Sequence, residues 1–205
     1  VNHCIQGGVE YLVVMGTTGE SATCSAHEKT AALRAVKRFA NNRVPIVYGV
    51  GGNNTAAVLD AISEAELDGV SAILSVSPYY NKPTQEGIYR HYEAIAKHSP
   101  KPIILYNVPG RTGSNMSAAT TLRLARDFKN IIAIKEASGN MEQIMEIIKS
   151  KPAGFEVISG DDNLTFPMLA LGAVGVISVS GQGLPTVFTQ MVRDALAGNF
   201  DAARS

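Results

Sequence analysis

The sequence predicts a parallel α/β fold that closes as a (β/α)8 barrel, and three observations carry that prediction. Seven apolar, β-branched runs recur through the 205 residues, at the roughly 20–30-residue spacing of βαβ units. A segment of helical pattern separates each run from the next. The residues that follow the runs are polar, glycine-rich and chemically varied, and parallel folds keep their ligand sites at those strand ends. Alternation alone also suits an open doubly wound sheet. Seven strands with a helix stub ahead of the first favour a barrel whose first strand lies upstream of Val1. Taken literally, seven strands would leave two raw sheet edges.

The stub comes first: residues Asn2 to Gln6 read as a last helical turn stopped by Gly7-Gly8. Strands are then expected at Tyr11–Met15, Pro45–Val50, Ala72–Val76, Pro102–Tyr106, Ile131–Lys135, Glu156–Ser159 and Val174–Val179. Ser25-Ala26-His27-Glu28 is a capping box that opens a helix to about Ala40. The next helix starts at Asn54 or Thr55 and runs to about Leu67. Thr84 precedes one ending near Lys97, Ser117 caps another, and Asn140 with Gln143 begins a further one. Asp161-Asp162 offers carboxylates to the helix that follows, by capping and by the helix dipole. Pro185 suits a first helical position, and Gly198 can stop that helix. A last helical pattern, Phe200 to Ser205, runs out without a cap. The reading is one barrel domain over residues 1–205, incomplete at both ends, without its first strand and C-terminal helices. No linker or low-complexity tract divides it.

Composition narrows the function classes. Formal net charge is zero, and no basic block or aromatic-basic stripe gives the footprint of a nucleic-acid binder. No apolar run reaches the length of a membrane span, and no signal or transit peptide is evident, although the chain opens on Val1. Cys4 and Cys24 have neither metal-site spacing nor the density of a disulfide scaffold, and read as free thiols in a reducing cytoplasm. Small molecules and further copies of the chain are the expected partners.

The chemistry concentrates in Ile131-Ile132-Ala133-Ile134-Lys135-Glu136-Ala137-Ser138. An ammonium ending a buried strand is costly to desolvate, and a depressed pKa would leave some neutral amine able to attack a carbonyl. On these residues alone, a lysine that snorkels or pairs with an acid is the competing reading. Other strand ends add partners. Gly16-Thr17-Thr18-Gly19 frames two hydroxyls with glycines, so backbone N–H groups can approach a carboxylate while a hydroxyl donates or relays a proton. Tyr79-Tyr80 can pack one ring and present the other. Tyr106 can exchange protons beside the lysine, and Arg111, on a Pro-Gly loop, suits bidentate carboxylate binding. Asp161 and Asp162 are read as caps rather than metal ligands. His27, His91 and His98 fall on or beside helices, so solvated or capping roles are expected. Neither a hydrolytic triad order nor a dinucleotide fingerprint is present.

In that order, GTTGES, SPYYN, YNVPGRTG, IKEASG and SGDD, each at a strand end, give the chain a resemblance. It resembles the pyruvate-dependent class I aldolases, the superfamily of dihydrodipicolinate synthases and N-acetylneuraminate lyases, from about Gly7 to Arg204. The resemblance implies a TIM-barrel enzyme, a lyase without cofactor or metal, in which Lys135 condenses with pyruvate and the enamine attacks an aldehyde. It further implies that Thr18 holds the pyruvate carboxylate, and that Tyr106, Thr17 and Tyr80 form a proton relay, with Tyr80 reaching into a neighbouring subunit. Arg111 would bind the carboxylate of the second substrate, and Gly160 and Ile177 would line the pyruvate pocket.

Sialic-acid lyases of this superfamily usually carry serine at the position of Thr17 and lack an equivalent of Arg111. The resemblance therefore favours aspartate semialdehyde as second substrate, in lysine and diaminopimelate biosynthesis, by a cytoplasmic dimer of dimers. Another pyruvate-dependent aldolase or dehydratase of the superfamily, an N-acetylneuraminate lyase or an enzyme for 2-keto-3-deoxy sugar acids, or a silent keto-acid-binding barrel, are the alternatives. In lysine-inhibited members two histidines and a glutamate would fall at Ala26, Lys29 and Ala57, while Ser21, Ala22, Asn53 and Tyr79 are retained. Weak or absent lysine feedback is the expectation.

Overall fold

The computed structural model describes residues 1–205. Strands β1 (Leu12–Val14), β2 (Ile46–Gly49), β3 (Ala72–Val76), β4 (Ile103–Asn107), β5 (Ile131–Glu136), β6 (Glu156–Ser159) and β7 (Gly175–Val176) form one parallel sheet in sequence order. The ten helices are α1 (Asn2–Gln6), α2 (Ala26–Ala40), α3 (Thr55–Glu64), α4 (Gln85–His98), α5 (Pro109–Thr112), α6 (Ala118–Asp127), α7 (Met141–Ser150), α8 (Asp162–Leu171), α9 (Pro185–Leu196) and α10 (Phe200–Arg204). This is the alternation that the spacing predicts. Two elements differ. The seventh strand is only two residues long, because Ile177 onward turns into the loop. The Pro-Gly loop carrying Arg111 is a helical turn, with Pro109 at its start and Gly113 in the left-handed conformation at its end.

Sequence-local chemistry sets the helix starts. Ser25 and Glu28 exchange hydrogen bonds as a complete capping box, and Asn54, Thr84, Ser117 and Asn140 each accept a backbone N–H in the first turn. Each such cap contributes about 1 kcal/mol.

The sheet has two buried faces. Ile46, Tyr48, Ile73, Ile103, Leu105, Ile134 and Val157 point outward into the main core beneath the helices. Val47, Ala72, Leu74, Ile104, Tyr106, Ala133 and Ile158 point inward and fill the interior of the curl. Curvature brings the two outer strands toward each other: the Tyr11 hydroxyl donates to the Val176 carbonyl at 3.1 Å. Helices from opposite ends of the chain meet behind them, where Thr189 of α9 donates to the Gly7 carbonyl at 2.7 Å.

One irregularity decides which side chains face inward. The ladder shifts register between Ile103 and Ile104, which pair with Ile131 and Ala133, so Ile132 is an extra residue in β5. Ile132 and Ala133 both pack on the inner cluster while Ile131 and Ile134 pack outward. Beyond this bulge the alternation resumes with Lys135 inward and Glu136 outward. Without the extra residue the two would exchange faces, because strand side chains alternate with a period of two.

Candidate active site

The inward residues at the ends of β4 and β5 are Tyr106 and Lys135, paired in register. Lys135 is 8% exposed, and its Nζ lies 4.3 Å from the centroid of the Tyr106 ring. Burial lowers its pKa to about 8; Asp161 and Asp162 favour the charged form, and Arg111 adds to the lowering. The ring face favours the ammonium by only about 0.5–1 kcal/mol, so desolvation dominates. At pH 7 a pKa near 8 leaves roughly a tenth of the amine neutral, against roughly one part in three thousand for an ordinary lysine. That difference separates a nucleophile from a solvated cation.

Tyr106 links this amine to further groups that the sequence singles out. Thr17 lies in a short 3-10 turn after β1, and its Oγ1 is 3.4 Å from the Tyr106 hydroxyl. Thr18, next in the turn, accepts a hydrogen bond from the Gln182 side-chain amide at 3.2 Å. Arg111 projects from α5 into a cavity of about 480 Å³ that Thr17, Tyr106 and Val108 also line. The same cavity continues to Ser21, Ala22, Lys29 and Tyr79. Arg111 takes part in none of the nine ion pairs, which leaves its guanidinium available to an anion. Ile177 packs against the inner cluster beside β7.

Two glycines make room for this arrangement. A Cβ on Gly160 would lie 2.6 Å from the Ala137 Cβ and 3.1 Å from the Lys135 Cε. Only glycine lets the end of β6 pass this close to the lysine stem. A Cβ on Gly49 would lie 2.1 Å from the Met15 carbonyl, where β1 ends with Met15 in the left-handed conformation at φ 61°.

Tyr80 is not brought to this cluster within one chain. It is 88% exposed, at φ 72°, on a loop whose Tyr79 lines the cavity instead. Three expectations need correction. Neither Asp161 nor Asp162 caps α8 through its side chain; the Asp162 carboxylate accepts the backbone N–H of Ser180 at 2.7 Å and of Val179 at 3.2 Å, tethering the loop after β7. His91 is buried rather than solvated, with its Nδ1 2.8 Å from the Thr55 hydroxyl, and burial lowers its pKa to about 4. Gln143 gives its backbone N–H to Asn140 but sends its side chain elsewhere, to Glu136.

That last contact belongs to a group that sequence reasoning missed. Glu136, fully buried on the outer face, accepts from Asn107 Nδ2 at 3.1 and 3.2 Å, Gln143 Nε2 at 3.1 Å and the Ser138 N–H at 2.8 Å. An acid directly after a buried strand lysine was the available signal. No three His, Cys, Asp or Glu side chains group as a metal site.

The sequence matches the profile of the Dihydrodipicolinate synthetase family over residues 1–205. The chain belongs to that family. Among its relatives is the 4-hydroxy-tetrahydrodipicolinate synthase of Parabacteroides distasonis, 57% identical over 100% of this chain and 69% of the relative. Within the family, the dihydrodipicolinate synthase of Acinetobacter baumannii, chloride-inhibited and in complex with pyruvate, superposes with TM-score 0.95 at 40% identity, covering 99% of this chain and 69% of that one. The enzyme from Cyanidioschyzon merolae with lysine bound gives TM-score 0.93 at 41% identity, covering 98% and 68%. The chain thus spans about two thirds of the length of these family members, whose TIM-barrel architecture it shares.

Proposed function

We propose that this protein is a 4-hydroxy-tetrahydrodipicolinate synthase, a Schiff-base lyase that condenses pyruvate with L-aspartate 4-semialdehyde in lysine and diaminopimelate biosynthesis. The observation that carries the chemistry is the buried Lys135 amine, 4.3 Å from the ring of Tyr106, with a pKa lowered to about 8. Its neutral form attacks C2 of pyruvate, and loss of water from the carbinolamine gives a protonated imine. That imine is an electron sink: loss of a proton from C3 gives the enamine, whose C3 attacks the aldehyde carbon. The amine of the bound semialdehyde portion then adds to the imine carbon, closing the ring and releasing Lys135.

Each step moves a proton, and the Thr17–Tyr106 contact at 3.4 Å supplies a route from the amine toward the cavity. Tyr80 would extend that route in a partner's site, a role that suits an 88%-exposed phenol and a homotetramer built as a dimer of dimers. Thr18 with the backbone of its turn would hold the pyruvate carboxylate; Gly160 and Ile177 would wall the pocket. Arg111 would take the carboxylate of the semialdehyde, a charge-assisted bidentate contact. No helix is long and apolar enough to cross a membrane, and we place the enzyme in the cytoplasm. Because Lys29 puts a cation on the cavity wall, cationic lysine should inhibit weakly or not at all; inhibition at sub-millimolar lysine would overturn this.

The test is borohydride reduction of the intact protein in the presence of pyruvate, followed by peptide mapping. An adduct on Lys135, together with turnover of aspartate semialdehyde in a coupled assay, is the expected result. A folded sample that yields no adduct would sink the proposal.

A further inference from the structure

We infer that Glu136 and Asn107 form a register pin that positions Lys135 and Tyr106, so that Glu136 is a positioning residue for imine formation. This rests on the function proposed above.

The geometry is a mirrored pair. In the β4–β5 ladder Tyr106 stands opposite Lys135 and Asn107 opposite Glu136. The first pair faces the interior of the barrel, and the second faces the helices. The two outward residues are fully buried, at 0% exposure each, and Asn107 Nδ2 reaches both carboxylate oxygens at 3.1 and 3.2 Å.

Both partners are held from behind. The Met116 N–H donates to Asn107 Oδ1 at 3.0 Å, and Asn107 Nδ2 also donates to Asn115 Oδ1 at 2.8 Å. Asn115 in turn donates to Gln143 Oε1 at 2.8 Å, and Gln143 Nε2 donates to Glu136 Oε2 at 3.1 Å. Every contact to the acid comes from an N–H, so the ionised, acceptor-only form is the one that fits. No cation joins it: Glu136 is in none of the ion pairs.

Stability alone gives no reason for such a group. Replacing a whole buried polar network with apolar residues of similar volume is often neutral or favourable, although removing one member alone is costly. A reason appears in the ladder itself. The bulge at Ile132 sets the register of β5 against β4, and a one-residue slip downstream of it would turn Lys135 toward the helices and Glu136 into the pocket. Only four paired positions follow the bulge before the ladder ends: Ile104 with Ala133, Leu105 with Ile134, Tyr106 with Lys135, and Asn107 with Glu136. Directional hydrogen bonds at the last of these fix what apolar packing leaves weakly specified.

The experiment uses the intact protein with Glu136→Gln, Asn107→Ser and Gln143→Met. Glu136→Gln keeps the shape but turns an amide NH2 toward N–H donors. The readouts are thermal unfolding, kcat and KM for pyruvate, and the pH profile of imine formation followed by borohydride trapping. Positioning predicts that Glu136→Gln and Asn107→Ser lower kcat by about a hundredfold, the cost of a displacement near 1 Å. KM should change less, and the pH profile should move upward as Lys135 loses its burial. Gln143→Met, which loosens α7 but leaves Asn107 on the acid, should lower the melting temperature without moving the profile. If Glu136→Gln does not fold, Asn107→Ser carries the same readout. A folded Glu136→Gln or Asn107→Ser variant whose kcat and profile coincide with those of the parent protein would overturn the inference. Absence of an adduct in the parent protein would instead overturn the function on which it rests.

Discussion

Two adjacent residues of β5 place ionisable groups of opposite sign on opposite faces of the sheet, and their surroundings differ. Lys135 faces inward with an aromatic ring as its neighbour, and nothing hydrogen-bonds to its ammonium. Glu136 faces outward and accepts from two side-chain amides and a backbone N–H. Burial pushes both groups toward neutrality: the lysine pKa falls, and the glutamate pKa rises against the pull of its Ser138, Asn107 and Gln143 hydrogen bonds. Burial without hydrogen-bond partners leaves the amine's lone pair free when it is neutral; burial with a full set of donors holds the carboxyl group in one place.

Removing each charge in turn should separate the two sites most strongly. Lys135→Met should abolish trapping by borohydride and lower kcat/KM by about four to six orders of magnitude, as removal of a nucleophile does, while circular dichroism stays native. Glu136→Met should do the reverse, acting first on the fold. It leaves Asn107, Gln143 and Ser138 with unsatisfied buried donors, a loss of about 3–5 kcal/mol in urea unfolding. Equal effects of the two substitutions on stability would mean that hydrogen bonding does not distinguish the sites. The third change lies at the cavity mouth. Arg111→Ala should raise KM for aspartate semialdehyde about a hundredfold, the loss of a charge-assisted pair, with KM for pyruvate nearly unchanged. A parallel rise for both substrates would place Arg111 on the wrong ligand.

The inner face was the legible one. Strand runs such as Ala72–Val76 and Glu156–Ser159 coincide with β3 and β6 to the residue, because short, largely apolar runs bounded by turn residues mark a strand clearly. Lys135 and Tyr106 stand out in the sequence because each ends an apolar run, and Thr17 and Arg111 because they sit on glycine-containing loops just beyond strand ends. What escaped was the outer face. Asn107 and Glu136 look like ordinary flanking polar residues, and Gln143 looks like half of a capping box; only the tertiary fold brings residues 107, 115, 136 and 143 to one point. Asp161-Asp162 misled for the same reason: carboxylates before a helix have a local explanation, whereas the real partner of Asp162 is the loop after β7. The bulge at Ile132 was equally silent, since a run of four apolar residues reads alike whether or not one of them is extra.

A smaller effect of the buried Lys135 should be visible in stability alone. The Lys135 pKa is about 8 in the folded protein against an ordinary 10.5, so between these values the unfolded chain binds more protons than the folded one. Stability therefore rises with pH across that window, and below about pH 8 the folded state bears the full cost of a buried ammonium. Lys135→Met removes the group that bears it. The variant should be more stable than its parent by about 1–3 kcal/mol at pH 7, and the advantage should fade as pH approaches 10.5. Urea unfolding of both proteins at pH 7 and pH 10 measures this directly. A difference independent of pH would show that the gain comes from better packing of the methionine and that Lys135 is not held at a lowered pKa; a loss at pH 7 would show that the ammonium contributes to the fold, as Glu136 does.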